Sequence, residues 1–178
     1  MAEIKSAIEL AMERTKGLGL SPEEKEKLKD EEIQSRAHSL VNRFLEVDFH
    51  FKEVEKELSK YNPQQREHLE DLVFGTFSEA IQLDRDNDLI FQGLETLRKQ
   101  SKSTNEKIRK LLEEYGDRKN KEYDKIGKDI LLKISRLGIS GSAVQPKVEG
   151  SQEWEGALAK FRPTFEDRLR TLKEELKK

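Results

Sequence analysis

Residues 21–65 read SPEEKEKLKD EEIQSRAHSL VNRFLEVDFH FKEVEKELSK YNPQQ, and this stretch decides the fold class. It opens on a helix start. Ser21 can cap, Pro22 suits the first helical position because its missing N–H would be unsatisfied there anyway, and Glu24 stands where a capping box places its acid. From there Ile33, Ala37, Leu40, Phe44, Val47, Phe51, Val54, Leu58 and Tyr61 alternate by four and three, a heptad stripe without interruption. Val41, Leu45 and Phe49 widen it beyond a narrow seam, which predicts more than one packing neighbour. The spacing predicts a helix over 22–61, about 40 residues and roughly 60 Å long.

Working outward, Ile4, Ile8, Ala11 and Met12 predict a short N-terminal helix over 4–16, stopped by Gly17 and Gly19. Asn62-Pro63 repeats the cap logic with almost no loop, so the next helix must run back antiparallel. That helix, over 63–99, carries Leu69, Val73, Phe77, Ala80 and Ile81, then Ile90, Leu94 and Leu97. The stretch from Leu83 to Asp88 reads either as an exposed polar turn of one long helix or as a break with Asn87 as cap. The apolar register survives across it and favours the first. Ser103 with Glu106 reads as a capping box for a third long helix, 104–137, which bears Ile108, Leu111, Tyr115, Ile126, Ile130 and Ile134. Its middle, residues 116–122, is polar and predicts looser packing there. Gly138 is a natural stop. Residues 138–150 do not read as helix. Ser151 can cap a last helix bearing Trp154, Leu158, Phe161, Phe165 and Leu169, which Pro163 should kink or split.

The chain of 178 residues is 39% charged, 34% hydrophobic and free of cysteine, which excludes disulfides, thiolate metal sites and cysteine nucleophiles. No apolar run approaches the ~20 residues of a membrane span, and the first ten residues carry charges where a signal peptide has an apolar core. A cytoplasmic setting is expected. Charge is uneven: residues 1–97 sum to −9, residues 98–136 to +6 and residues 137–178 to +1. Either the basic helix packs beside acidic ones, or it offers a face to an acidic partner or a phosphate.

Catalytic signals are thin. His38, His50 and His68 lack the Glu-x-x-His spacing of di-iron bundles; Glu46 and His50 would share a helical face with Asp48 nearby, a pattern commoner in surface ion pairs than in ligand sets. Asp84, Asp86, Asp88 and Glu95 match four positions of a calcium loop, but Leu89 stands where glycine makes the sharp turn. No nucleophile elbow, phosphate loop or dinucleotide fingerprint is present. No catalytic residue, cofactor or metal is therefore expected. The remaining candidate is Gly138, Ser140, Gly141, Ser142, Val144 and Pro146. This stretch could be a connector laying Val144 and Val148 over the bundle, which is the preferred reading. It could also be a partner-binding loop, or a small-anion or nucleotide site joined by Lys128, Lys133 or Arg136. Nucleic-acid binding through 104–137 is disfavoured because acids interleave the basic run. Membrane-surface binding by the last helix is disfavoured because Glu153, Glu155, Glu166 and Asp167 cancel its cations.

Residues 3–16, the Leu20-Ser21-Pro22-Glu23-Glu24 start and the stretch from Leu137 to Val144 resemble segments of an uncharacterised family of bacterial helical proteins. The resemblance spans the chain and implies a bacterial cytoplasmic protein, with no activity attached. The order of long helices and then an extended segment is similar in layout alone to nucleotide-exchange cochaperones of the GrpE type. The resulting expectation is an all-α, elongated antiparallel bundle of three long helices with shorter N- and C-terminal helices. It divides into 1–137, a connector at 138–150 and a C-terminal helix at 151–178 that packs on the bundle or on a second copy. The expected function is a non-catalytic scaffold, adaptor or cochaperone-like factor with an unknown protein partner. A homodimer is expected, because stripes this wide leave apolar area that thin helices do not cover.

Overall fold

The computed structural model describes residues 21–46, 50–139, 141 and 144–177. The helix expected over 4–16, Val47 and Phe49 of the long stripe, Asp48 beside the Glu46 and His50 pair, and Ser140 and Ser142 of the candidate loop lie outside the described residues. Every regular element described is helical: α1 (Pro22–Leu45), α2 (Phe51–Leu58), α3 (Pro63–Ala80), α4 (Asp88–Leu97), a 3-10 turn (Lys99–Ser101), α5 (Lys102–Arg136) and α6 (Gln152–Leu176). The all-α reading holds. The chain divides into two compact units, residues 1–77 and 78–178, with the boundary inside α3.

In the first unit the start signal works as expected. Glu24 N–H donates to Ser21 Oγ at 3.1 Å, and Ser21 N–H donates to the Glu24 carboxylate at 2.7 Å. The 22–61 helix, however, is two helices. α1 ends at Leu45, Glu46 is extended, and α2 starts after an extended His50. Arg36 reaches Glu57 at 2.8 Å across 21 residues. In a continuous helix that separation is about 30 Å, so the chain reverses between α1 and α2. Phe44 then meets Phe51 edge-to-face at 5.6 Å, and Phe77 of α3 at 5.4 Å. Reversal also removes the shared helical face expected of Glu46 and His50. The stripe itself is real: Ala37, Leu40, Phe44, Val54 and Leu58 are all buried. Asn62 caps α3 through a bond from Gln65 N–H at 2.9 Å.

The second unit begins in the last turn of α3. The favoured reading of 63–99 as one helix is corrected: α3 stops at Ala80 and α4 starts at Asp88. Asn87 holds the break, but not as a side-chain cap. Its amide donates to the Gln82 and Arg85 carbonyls at 2.8 and 2.7 Å, and its oxygen accepts from Gln82 N–H at 3.1 Å. The buried side chain thus satisfies the groups that the interrupted ladder leaves free. Ser103 does not cap α5; Ser101 precedes the helix and turns its hydroxyl back to the Arg98 carbonyl at 2.7 Å.

α5 and α6 run antiparallel along each other. Lys107 pairs with Glu175, Arg168 with Glu114, Tyr115 with Phe165 and Phe161, Tyr123 with Trp154, and Lys133 with Glu153. α6 passes Pro163 without splitting. The lost N–H and ring clash cost about 3 kcal/mol. Packing on both sides offsets this: the Phe161 and Phe165 rings lie 5.8 and 5.4 Å from Tyr115, and Arg162 bridges Glu166 and Asp84.

Two substitutions test these helices by urea denaturation. Pro163→Ala returns a donor to the Ala159 carbonyl and is expected to stabilise by about 1–3 kcal/mol. Gly116→Ala, where an added methyl meets nothing within 4 Å, is expected to gain about 0.5–1 kcal/mol. Loss of stability in both would mean that α5 and α6 are not helical at these positions in solution.

Candidate functional site

The C-terminal half of α5, the connector and the start of α6 form the most distinctive surface of the second unit. α5 ends on Gly138 at φ +80°, with Gly138 N–H donating to the Ser135 carbonyl and Ile139 N–H to that of Ile134. This is the bonding of a Schellman motif, in which glycine alone is unstrained. The expected stop is where the sequence put it. Further along, Pro146 and Val148 lie over Gly127, 3.6 and 3.5 Å from where its Cβ would be. Val148 joins Ile126 and Trp154 in a small core, with Ile130, Ala157 and Leu158 packed around it. Gly150, at φ +76°, turns the chain into Ser151, whose Oγ accepts from Trp154 N–H at 3.2 Å and caps α6.

Among the candidate loop residues, Val144 and Pro146 are half-buried, Pro146 over Gly127, while Gly138 and Gly141 are exposed. An open groove of about 230 Å³ runs beside Ile126, Ile130 and Leu132, edged by Lys133, Arg136 and Glu153. A second, of about 590 Å³, continues it along the seam past Gly156 and Ala157 to Phe161 and Arg118. No described residue of 138–146 lines either groove, so the glycines and the basic residues named with them are not brought together there.

Large apolar side chains crowd the same end. Leu132 is 60% exposed, Leu137 78% and Ile139 54%. The stripe that buries Ile126 against α6 continues through Ile130 and Ile134 to Leu137, past the point where α6 begins. Charges on the rim are partly spent on each other. Lys133 donates to Glu153 at 2.7 Å, which raises the lysine pKa and lowers that of the acid; Asp129 adds to the effect on Lys133. Arg118 pairs with Glu122 at 2.8 Å. Lys125, Arg136 and Lys160 have no ion pair among the described residues.

Three of the four acids of the calcium-like pattern are drawn into ion pairs, while Asp86 accepts from Asp88 N–H at 3.0 Å. Asp84 accepts from Lys119 at 2.6 Å and from the buried Tyr115 hydroxyl at 3.1 Å, and lies 3.3 Å from Arg162. Burial pushes its pKa up, but the Lys119 and Tyr115 hydrogen bonds and the Arg162 charge hold it below the ordinary value. Burial, then the Asp84 charge, push the Tyr115 hydroxyl up to about 12. Asp88 and Glu95 flank Arg109 at 3.0 and 3.9 Å, with the guanidinium 4.1 Å over the Phe91 ring. The cationic partners of Asp84, Asp88 and Glu95 lie 14 to 78 residues away, and only the fold reveals them.

The described residues hold no group of three or more His, Cys, Asp or Glu able to hold a metal, and His38, His50 and His68 are exposed. The carboxylates with a resolved shift, Glu57, Glu79, Asp84 and Glu153, all move down, away from the neutral range a general acid uses.

A depressed folded-state pKa contributes stability above the unfolded value, near 3.9 for Asp, and loses it as pH falls through the folded value. Asp84→Ala, which also leaves the Tyr115 hydroxyl without its acceptor, is expected to cost roughly 1–3 kcal/mol at neutral pH. The gap from the parent chain should close as pH falls below about 4. Thermal melts across that range check this; a gap independent of pH would remove the ionic role.

Comparison with known protein families, with curated proteins and with solved structures finds no match to this chain.

Proposed function

We propose that this chain is a non-catalytic helical interaction protein, a scaffold, adaptor or cochaperone-like factor working in the bacterial cytoplasm. The observation that supports the reading is the apolar end of α5, where Leu132, Leu137 and Ile139 lie in the open near Arg136, which has no ion pair among the described residues. Monomeric proteins seldom leave such clusters uncovered without using them. No helix among the described residues is long and apolar enough to cross a membrane. The division at 137 and 151 and assembly as a homodimer belong to this proposal.

The second reading, a small-anion or nucleotide site, draws on Gly141 at φ +144°, since the Gly138 and Ile139 amides are spent on the end of α5. Thermal-shift measurements with nucleotides and phosphates separate the two. A flat panel is expected; a rise of several degrees with one phosphate compound would favour the second reading. For the first, Leu132→Asp and Leu137→Asp are expected to leave the melting temperature nearly unchanged, because both side chains are exposed. They should abolish co-purification of partners, or dissociate a dimer in light scattering. Unchanged association in both variants would overturn the reading.

A further inference from the structure

Resting on that reading, we infer that the α5–α6 groove is a docking site for an amphipathic helix of a partner protein whose flanks are acidic. The floor is apolar: Ile126, Ile130 and Leu132 from α5, and Ala157 and Phe161 from α6. It extends from Arg118 to Arg136, about 27 Å along α5, the length of a five-turn helix. A helix laid there would set side chains spaced by three and four residues on the floor.

The rim identifies the partner's charge. Two of its acids are occupied, Glu153 by Lys133 and Glu122 by Arg118. The rim groups without an ion pair among the described residues are three cations, Lys125 and Arg136 on α5 and Lys160 on α6, against one acid, Asp129, an excess of positive charge. Arg136 in the last turn of α5 also suits the carbonyl end of its helix. Lys125 and Lys160 do not have that role, because both lie well inside their helices, where the end effect has faded. A twofold contact of this groove with a second copy would set these cations against one another, so a foreign acidic helix is the better complement.

The test uses the full chain and a fluorescent synthetic peptide of about 18 residues with leucines at helical spacing and glutamates on both flanks. Two further peptides keep its length: one scrambles the leucines, the other replaces glutamate by lysine. Fluorescence anisotropy is expected to show binding of the first peptide at least roughly tenfold tighter than either control. That binding should weaken as salt rises. Lys125→Glu with Lys160→Glu, and separately Leu132→Asp, are expected to lose about tenfold. Leu89→Asp, at an exposed leucine on α4, should change nothing. Circular dichroism melts confirm that each variant folds.

Equal binding of all three peptides overturns the inference, as does equal binding by the Leu132→Asp variant. Preference for the lysine peptide, or for a single-stranded oligonucleotide over the glutamate peptide, overturns it too. A dimer in light scattering that Leu132→Asp dissociates assigns the groove to a second copy instead. Partners cross-linked in the source cell equally by the parent chain and by the Leu132→Asp variant would leave the interaction reading standing while removing this groove from it.

Discussion

The antiparallel seam of α5 and α6 is the constraint on which the second unit depends. It is fastened by pairs distributed along its length, from Lys107–Glu175 at one end to Lys133–Glu153 at the other, with the Tyr115, Phe161 and Phe165 rings between them. The surface ion pairs add little individually; the buried Tyr115 ring and the half-buried Phe161 and Phe165 rings add aromatic packing. Asp84 belongs to this seam although it lies in the loop before α4. By taking Lys119 and Tyr115 from α5 and Arg162 from α6, it ties the break in the helical pattern to both long helices.

Helix boundaries set by local chemistry were legible in the residues. Ser21 with Glu24, Asn62 before Pro63, Gly138 and Ser151 all act where their side chains or lack of one predict. Boundaries set by tertiary structure were not. The stripe from Ile33 to Tyr61 keeps its period through a reversal, because α1 and α2 each turn their apolar face inward and periodicity does not record direction. At Asn87 the register survives for the same reason, while the three bonds of its side chain make the break stable. Ser103 and Glu106 have the spacing of a capping box, but Ser101 already starts the helix two residues earlier.

The candidate surface was half legible. The excess of positive charge over residues 98–136 is plain in the sequence, and much of it meets acids within the second unit, as Arg109 and Lys119 do. Which cations remain unpaired depends on the register of α5 against α6, which no local pattern encodes. The connector reading of residues 138–150 rests on Val148 and Pro146 over Gly127, a close approach that a lone glycine in a helix hints at without saying what approaches.

Trp154 is the chain's single tryptophan, and it sits where α5, the connector and α6 converge, 5% exposed and 5.6 Å from the Tyr123 ring. Its ultraviolet emission therefore reports on that corner. A red shift with retained helical ellipticity would mark detachment of the connector alone, so the molecule carries its own optical probe of the region beside the groove.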